Sequence, residues 1–305
     1  MPRSPRRPVA DRLPGLRLPA QHGRRVVVTG ASSGLGEATA GALARAGADV
    51  VLAVRDPRRG AAAADRIRRT GAAGRLEVEV VELGSLASVA AAAGRIGSRP
   101  VDLLVNNAGL STSDPSAVTA DGFALPMGVN YLGAWALTVG LWPALAAGHE
   151  PRVVMLGSLV ARLGRIEDDL GRPCGDTSYA DSKLAAVVLA QELRRRAGAA
   201  GSPVTVVAAH PGWAQTAIFD TAPPPPVVER LGARLGLLQS AADGAQPILR
   251  AATDPDPAVY YGPGRRWGAA GPAGPAPLPG RALADGVGER LWELSGALTG
   301  VGFDF

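Results

Sequence analysis

Short β-branched runs, most of them apolar from end to end, recur along this chain, and a longer alanine-rich run follows nearly every one. The strand-like runs are RRVVVTG (24–30), DVVLAV (49–54), RLEVEVVEL (75–83), VDLLVNNAG (101–109), RVVMLGS (152–158), PVTVVAAH (203–210) and AVYYG (258–262). Between and after them stand helix-like runs at 36–47, 57–71, 85–97, 122–147, 178–198 and 281–298. A strand apolar on both faces is buried on both faces, as in a parallel sheet. Parallel neighbours need crossovers, so the helices must cover both sides of that sheet. The pattern predicts one doubly wound α/β domain over residues 24–305, with a central parallel sheet of about seven strands.

Charge is distributed unevenly. The net charge of +5 arises in residues 1–25, where seven arginines face one aspartate. The remainder carries 25 basic residues against 26 acidic ones, so the basic character belongs to the N-terminal segment and not to the domain as a whole, and no nucleic-acid partner is expected. Residues 1–23 are rich in arginine and proline and lack the apolar stretch of a secretory signal, which predicts a flexible, solvated lead-in. The segment 131–148 is long and apolar enough to be weighed as a membrane span. Asn130, Gly133, Gly140 and Pro143 interrupt it, and a helix packed between a sheet and a partner has the same composition, so no span is expected. The one cysteine, Cys174, excludes an internal disulfide and suits the cytoplasm. It has no base beside it in sequence and reads as an incidental thiol. No cysteine–histidine cluster has metal-ligand spacing, so no metal is expected, and His210, before a proline at a strand end, reads as a packing residue.

The first strand–helix junction reads VVVTGASSGLGEA. Gly30 lets the chain turn off the strand, Gly34 lets backbone approach a pyrophosphate, and Gly36 allows close helix packing. The unpaired N–H groups of the helix then meet the phosphates. This is the phosphate turn of a Rossmann fold, and it implies a dinucleotide. NAD-binding chains place a carboxylate at the end of the second strand for the ribose hydroxyls. Here that strand ends in Arg55, whose guanidinium suits a 2′-phosphate, so NADP(H) is favoured and NAD(H) disfavoured. A pairing of Arg55 with the adjacent Asp56 is the competing reading.

In SYADSK, Tyr179 and Lys183 stand one helical turn apart. A free phenol titrates near 10, and a nearby ammonium favours the phenolate and brings it toward working range. Ser158, at the end of the preceding strand, can donate to a substrate oxygen. Composition adds weight: Lys183 is the single lysine beside 31 arginines, and the three asparagines are Asn106, Asn107 and Asn130. A guanidinium cannot replace an ammonium in tuning a phenol, because its shape and hydration differ.

Over about residues 24–262 these motifs resemble the short-chain dehydrogenase/reductase family: TGASSGLG (29–36), NNAG (106–109), YADSK (179–183) and HPGWAQT (210–216). LAVRD (52–56), HPG and LWELSGALTGV (291–301) are similar to its retinol-dehydrogenase and WW-domain-oxidoreductase-like branch, which prefers NADP(H). The resemblance implies an oxidoreductase that interconverts a carbonyl and an alcohol. Tyr179 is then the general acid/base, Ser158 polarises the substrate oxygen, Lys183 holds the ribose, and Asn130 holds a relay water. It also implies cofactor contacts from Gly30, Ser32, Ser33, Gly34, Leu35, Gly36, Arg55, Glu82, Leu83, Asn107, Tyr179, Lys183, Pro211, Gly212 and Thr216. Glu82 stands where the family has aspartate, one methylene longer, and Gly157 stands where a second serine precedes the catalytic one.

Substrate choice is expected from the loops at 159–177, 213–230 and 262–280, of which the proline-rich 221–229 and Gly/Pro-rich 262–280 segments read equally as disordered surface. The partner expected is a small, modestly apolar carbonyl or alcohol. Apolar outward faces on the 122–147 and 178–197 helices predict a homodimer or homotetramer. An NADPH-binding regulator without turnover and an enone reductase using the same Tyr/Lys pair are the competing functions.

Overall fold

Each run read as a strand forms one, in a computed structural model that describes residues 15–167, 170, 179–214, 231, 232 and 234–305. The strands are β1 (Arg25–Thr29), β2 (Asp49–Val54), β3 (Leu76–Val80), β4 (Leu103–Asn106), β5 (Arg152–Leu156), β6 (Thr205–Ala209), β7 (Trp213–Ala214), β8 (Leu238–Gln239), β9 (Tyr260–Arg265) and β10 (Ala270–Pro275). Eight of them make one sheet in the order β10-β9-β6-β5-β4-β1-β2-β3, parallel except for β10, which runs antiparallel to β9. The short pair β7–β8 stands apart as a parallel two-stranded ladder.

One face of the sheet is covered by α1 (Gly34–Arg45), α2 (Pro57–Arg68) and α6 (Ala241–Thr253), around Val26, Leu52 and Ile248. The other face is covered by α3 (Leu86–Ile96), α4 (Gly133–Ala146) and α5 (Tyr179–Ala199), around Leu104, Trp135 and Leu189. Local chemistry fixes where these helices begin. The Asp56 carboxylate accepts from the Arg58 and Arg59 amides at 2.8 and 3.3 Å and caps α2, while Ser85 caps α3 through the Ser88 amide. At the β3 edge, Glu77 and Glu79 pair with Arg99 and Arg95 at 2.7 Å, so the open ladder presents charge to solvent.

The structure departs from the sequence reading in four places. The Gly/Pro-rich run 262–280 is neither a crevice loop nor irregular surface in its first part, because it completes β9 and forms β10. An edge strand leaves one row of backbone groups unpaired, so glycine and proline are tolerated there. Helix α6 had no counterpart in the sequence reading, because Gly244 and Pro247 inside it look like breakers; its start is capped by Ser240, which accepts the Asp243 amide at 3.0 Å. Residues 15–23 are docked rather than flexible: Leu16 and Leu18 lie against the core beside α1, and the Gln21 amide donates to Ala46 at 2.8 Å.

The fourth departure concerns the apolar helix 122–147. It begins as a short turn at Leu125–Met127, passes through a π-helical segment at Gly128–Leu132, and continues as α4. Its outward face is covered by the same chain, through α7 (Val287–Thr299) and the tail beyond it. Trp135 meets Trp292 and Phe303 edge-on at 4.9 and 5.1 Å, and Trp142 meets Phe303 at 5.0 Å. Each such pair contributes about 0.5–1.5 kcal/mol beyond burial, and this face leaves water without a second copy. Among the described residues, no helix is long and apolar enough to cross a membrane.

Candidate active site

Strands β1 and β4 are neighbours, yet from β1 the chain winds outward to β2 and β3, and from β4 it winds the other way. At such a reversal the loops beyond the strand ends part and leave a crevice. Here the crevice is a cavity of about 740 Å³. Every site residue expected from the sequence lines it except Asn130, which lies behind the wall, and Thr216, which is outside the described residues together with Cys174.

At one end is the glycine turn. Gly30 takes φ +67°, closed to most side chains, and its amide donates to Ala53 at 2.8 Å. A Cβ at Gly36 would collide with the Gly30 carbonyl and the Asn107 amide, so α1 can approach β1 only with glycine there. Ser33 begins α1 with no side-chain cap, which leaves the first helical N–H groups facing the cavity. Asn107 anchors the turn by donating to the Thr29 carbonyl at 2.8 Å, while its own Oδ1 is buried with no partner in the protein. An uncapped helix start beside an orphaned acceptor fits the pyrophosphate and polar groups of a dinucleotide.

Arg55 does not pair with Asp56, whose carboxylate is taken up by the α2 cap. Its guanidinium stands largely exposed on the cavity rim, 3.7 Å from Glu82, a separation that contributes little in water. Glu82 also accepts the Gly84 amide at 3.0 Å, which orients its carboxylate. Arg59, one turn into α2, lines the same rim. It is not among the residues expected from the sequence, although a basic residue four positions after Arg55 is a usable signal. Arg66 was missed as well: it binds Glu37 of α1 at 2.7 Å and the Ser32 carbonyl at 3.2 Å, tying α2 to the outside of the glycine turn.

At the other end, Tyr179, Lys183 and Ser158 converge. The Tyr179 hydroxyl is hydrogen-bonded to Ser158, and the Lys183 ammonium lies 5.7 Å from the centre of the tyrosine ring. Lys183 is buried and donates to the Leu156 carbonyl at 3.0 Å. The expectation that the ammonium lowers the phenol is not met in this structure. Enclosure pushes Tyr179 up to about 12, against which the Ser158 bond acts only in part, and desolvation brings Lys183 down to about 8.

Asn130 sits in the π-helical turn, closed by the Gly133 amide donating five residues back to Gly128. Its side chain accepts the Leu110 amide at 2.8 Å and donates to the Leu110 carbonyl and Ser182 hydroxyl at 2.9 Å each. A Cβ at Gly109 would lie 3.0 Å from the Lys183 ammonium and 3.4 Å from the Asn130 oxygen, so that glycine keeps the passage between them open.

Leu110, Leu159, Val160 and Trp213 give the remaining wall an apolar character. Pro211 and Gly212 are held from behind. Gln239, buried in β8, donates to the Pro211 carbonyl at 2.8 Å and accepts the Gly271 amide at 3.2 Å. The Trp213 amide donates to Ala269 at 2.8 Å. His210 is a packing residue, as its sequence context indicated: it lies 5.2 Å from the Tyr260 ring, accepts the Gly212 amide, and is held neutral by burial, which takes its pKa down to about 4.

The chain matches the short chain dehydrogenase family over residues 24–225. It is 39% identical to polyprenol dehydrogenase of Mus musculus over 298 residues, covering 93% of this chain and 86% of that protein. It is 33% identical to retinol dehydrogenase 14 of Homo sapiens over 309 residues, covering 94% and 88%. The crystal structure of a protein from Mycobacterium paratuberculosis superposes with a TM-score of 0.77 at 38% identity, covering 96% of this chain and all of that one.

Proposed function

This chain belongs to the short-chain dehydrogenase family, in its retinol-dehydrogenase-like branch, and from that premise we propose that it interconverts a lipophilic alcohol and its carbonyl with NADP(H). The family is one of oxidoreductases that bind nicotinamide cofactors. One observation carries the proposal: the Tyr179–Ser158 hydrogen bond, with Lys183 beside it, stands at one end of a cavity whose other end is an uncapped helix start.

In the reducing direction the Tyr179 phenol donates its proton to the carbonyl oxygen, and the Ser158 hydroxyl donates a hydrogen bond to the same atom. In the oxidising direction Tyr179 takes the proton back. The nicotinamide, when bound, supplies or accepts the hydride. Lys183, buried in the same cavity beside Tyr179, would hold the ribose. Asn130 fixes the backbone at Leu110 and faces Lys183 across Gly109, which suits it to hold a water on the way to solvent. The α1 start would hold the pyrophosphate, Glu82 the adenine side, and Arg55 with Arg59 the 2′-phosphate. The apolar wall of Leu110, Leu159, Val160 and Trp213 supports a lipophilic substrate, in keeping with the relative named for polyprenol.

Tyr179→Phe tests this reading. Turnover of carbonyl substrates should fall by about 10²–10⁴ while NADPH still binds with unchanged Kd. A variant that binds NADPH and turns over at the wild-type rate refutes the assignment.

A further inference from the structure

The outer rim of the cavity carries a surface that catalysis does not use. Trp267, at the tip between β9 and β10, is 87% exposed, and both it and Arg266 take a left-handed backbone, at φ +56° and +54°. That conformation is costly for any residue with a Cβ, and here it holds an indole out in water. Around it Leu163 is 73% exposed, and Leu235 and Leu283 are exposed as well. These residues come from four separated stretches, and arginines tie the stretches together. Arg162 donates to the Trp267 carbonyl at 3.3 Å, Arg281 to the Leu163 and Gly164 carbonyls at 3.0 and 2.8 Å, and Arg266 to the Leu235 carbonyl.

A guanidinium bonded to a carbonyl keeps its charge and has further N–H donors to offer. In the described parts of 159–167, 231–236, 264–268 and 280–285 there are six arginines and two carboxylates, Glu167 and Asp285. Val160, in the first stretch, is part of the cavity wall, so the patch is continuous with the mouth. Exposed tryptophan and leucine interleaved with arginine is the composition of a surface that sits at a lipid–water boundary, the apolar groups among the acyl chains and the cations on anionic headgroups.

We propose that this rim docks the protein on an anionic lipid surface, with the cavity mouth facing the bilayer. The arrangement gives a lipophilic alcohol a path into the site that avoids water, and this purpose rests on the function proposed above. The docking itself requires no turnover.

The test is sedimentation of the full chain with phosphatidylcholine vesicles, with and without phosphatidylglycerol. Wild type should partition onto the phosphatidylglycerol vesicles and be released by salt. The double variant Leu163→Ser/Trp267→Ser should bind at least about tenfold more weakly, and Arg266→Gln about fivefold more weakly. Both should reduce a short water-soluble aldehyde at the wild-type rate. Tryptophan emission should shift to the blue when vesicles are added, and Trp267→Phe should lose that shift while still sedimenting. Absence of wild-type binding overturns the proposal, as does equal binding to both vesicle types. Binding that the double variant retains in full also overturns it, and assigns the contact to the arginine-rich N-terminal residues. Inactivity on the water-soluble aldehyde with vesicle binding intact counts against the catalytic reading and leaves the docking standing.

Discussion

The two ends of the cavity are built on different plans. The cofactor end is centred on a local piece: one strand, one glycine turn and the helix after it fix Gly30, Ser33 and Gly36 within a single short stretch of chain, to which Asn107 and Arg66 add ties from outside. The substrate end is assembled from remote pieces. Pro211 is held by Gln239, Trp213 by Ala269, Asn130 by Leu110 and Ser182, and Tyr131, beside Asn130, by Ser295 of α7. A local end should fail all at once through one residue, whereas a distributed end should lose function in increments.

The largest expected effect is at the local end. In Gly36→Val the new side chain runs into the Gly30 carbonyl and the Asn107 amide, and α1 must retreat from the turn. NADPH affinity should fall by more than about a hundredfold, a loss of about 3 kcal/mol, as read by fluorescence titration. A variant that binds normally breaks the claim that this end depends on one close approach. Arg55→Ala should be milder. Removal of a charge-assisted phosphate contact costs about 1.5–3 kcal/mol, so NADPH should bind roughly ten- to a hundredfold more weakly with NADH affinity unchanged. Equal losses for the two cofactors would remove the 2′-phosphate from the argument.

The same division decided what the sequence revealed. The glycine turn, the Arg55 position and the Tyr179–Lys183 spacing are patterns within a few residues, and the structure brings all of them to one cavity. Asp56 shows the limit of that reading even at short range. Its side chain had two suitors one or two residues apart, and only the helix start revealed that the α2 amides take it. What remained hidden is non-local. Gln239 has no motif, because its role comes from bridging Pro211 to an edge strand 32 residues further on. Helix α6 was masked by its own Gly244 and Pro247. The apolar face of α4 announced a partner truthfully, but nothing in its composition said that the partner was the same chain's aromatic tail.

Titration probes the junction between the two ends. Lys183 sits near 8, below its ordinary 10.5, so its ammonium is intact at lower pH and is lost as pH rises through about 8. Tyr179, near 12, keeps its proton across that range. In the reducing direction kcat/KM should therefore be flat below about 8 and fall above it by as much as tenfold per pH unit. Lys183→Arg should move the falling limb out of range, since a guanidinium keeps its charge, while lowering the plateau. A profile in Lys183→Arg that still falls near 8 assigns the titration to another group.

The smallest effect separates the ends most sharply. Ser295 donates to the Leu291 carbonyl at 2.6 Å and meets the buried Tyr131 hydroxyl at 2.6 Å, which ties α7 to the π-helical turn that carries Asn130. Ser295→Ala leaves that phenol enclosed without a partner, at a cost of about 1–3 kcal/mol in stability. Tm should fall by several degrees, and kcat should fall only to the extent that the turn shifts Asn130. The Kd for NADPH should not change, because the glycine turn shares no partner with α7 and energies at separate sites add independently. If NADPH affinity drops in step with Tm, the ends are coupled through the sheet, and the increments expected of a distributed end become a cooperative loss of the whole site.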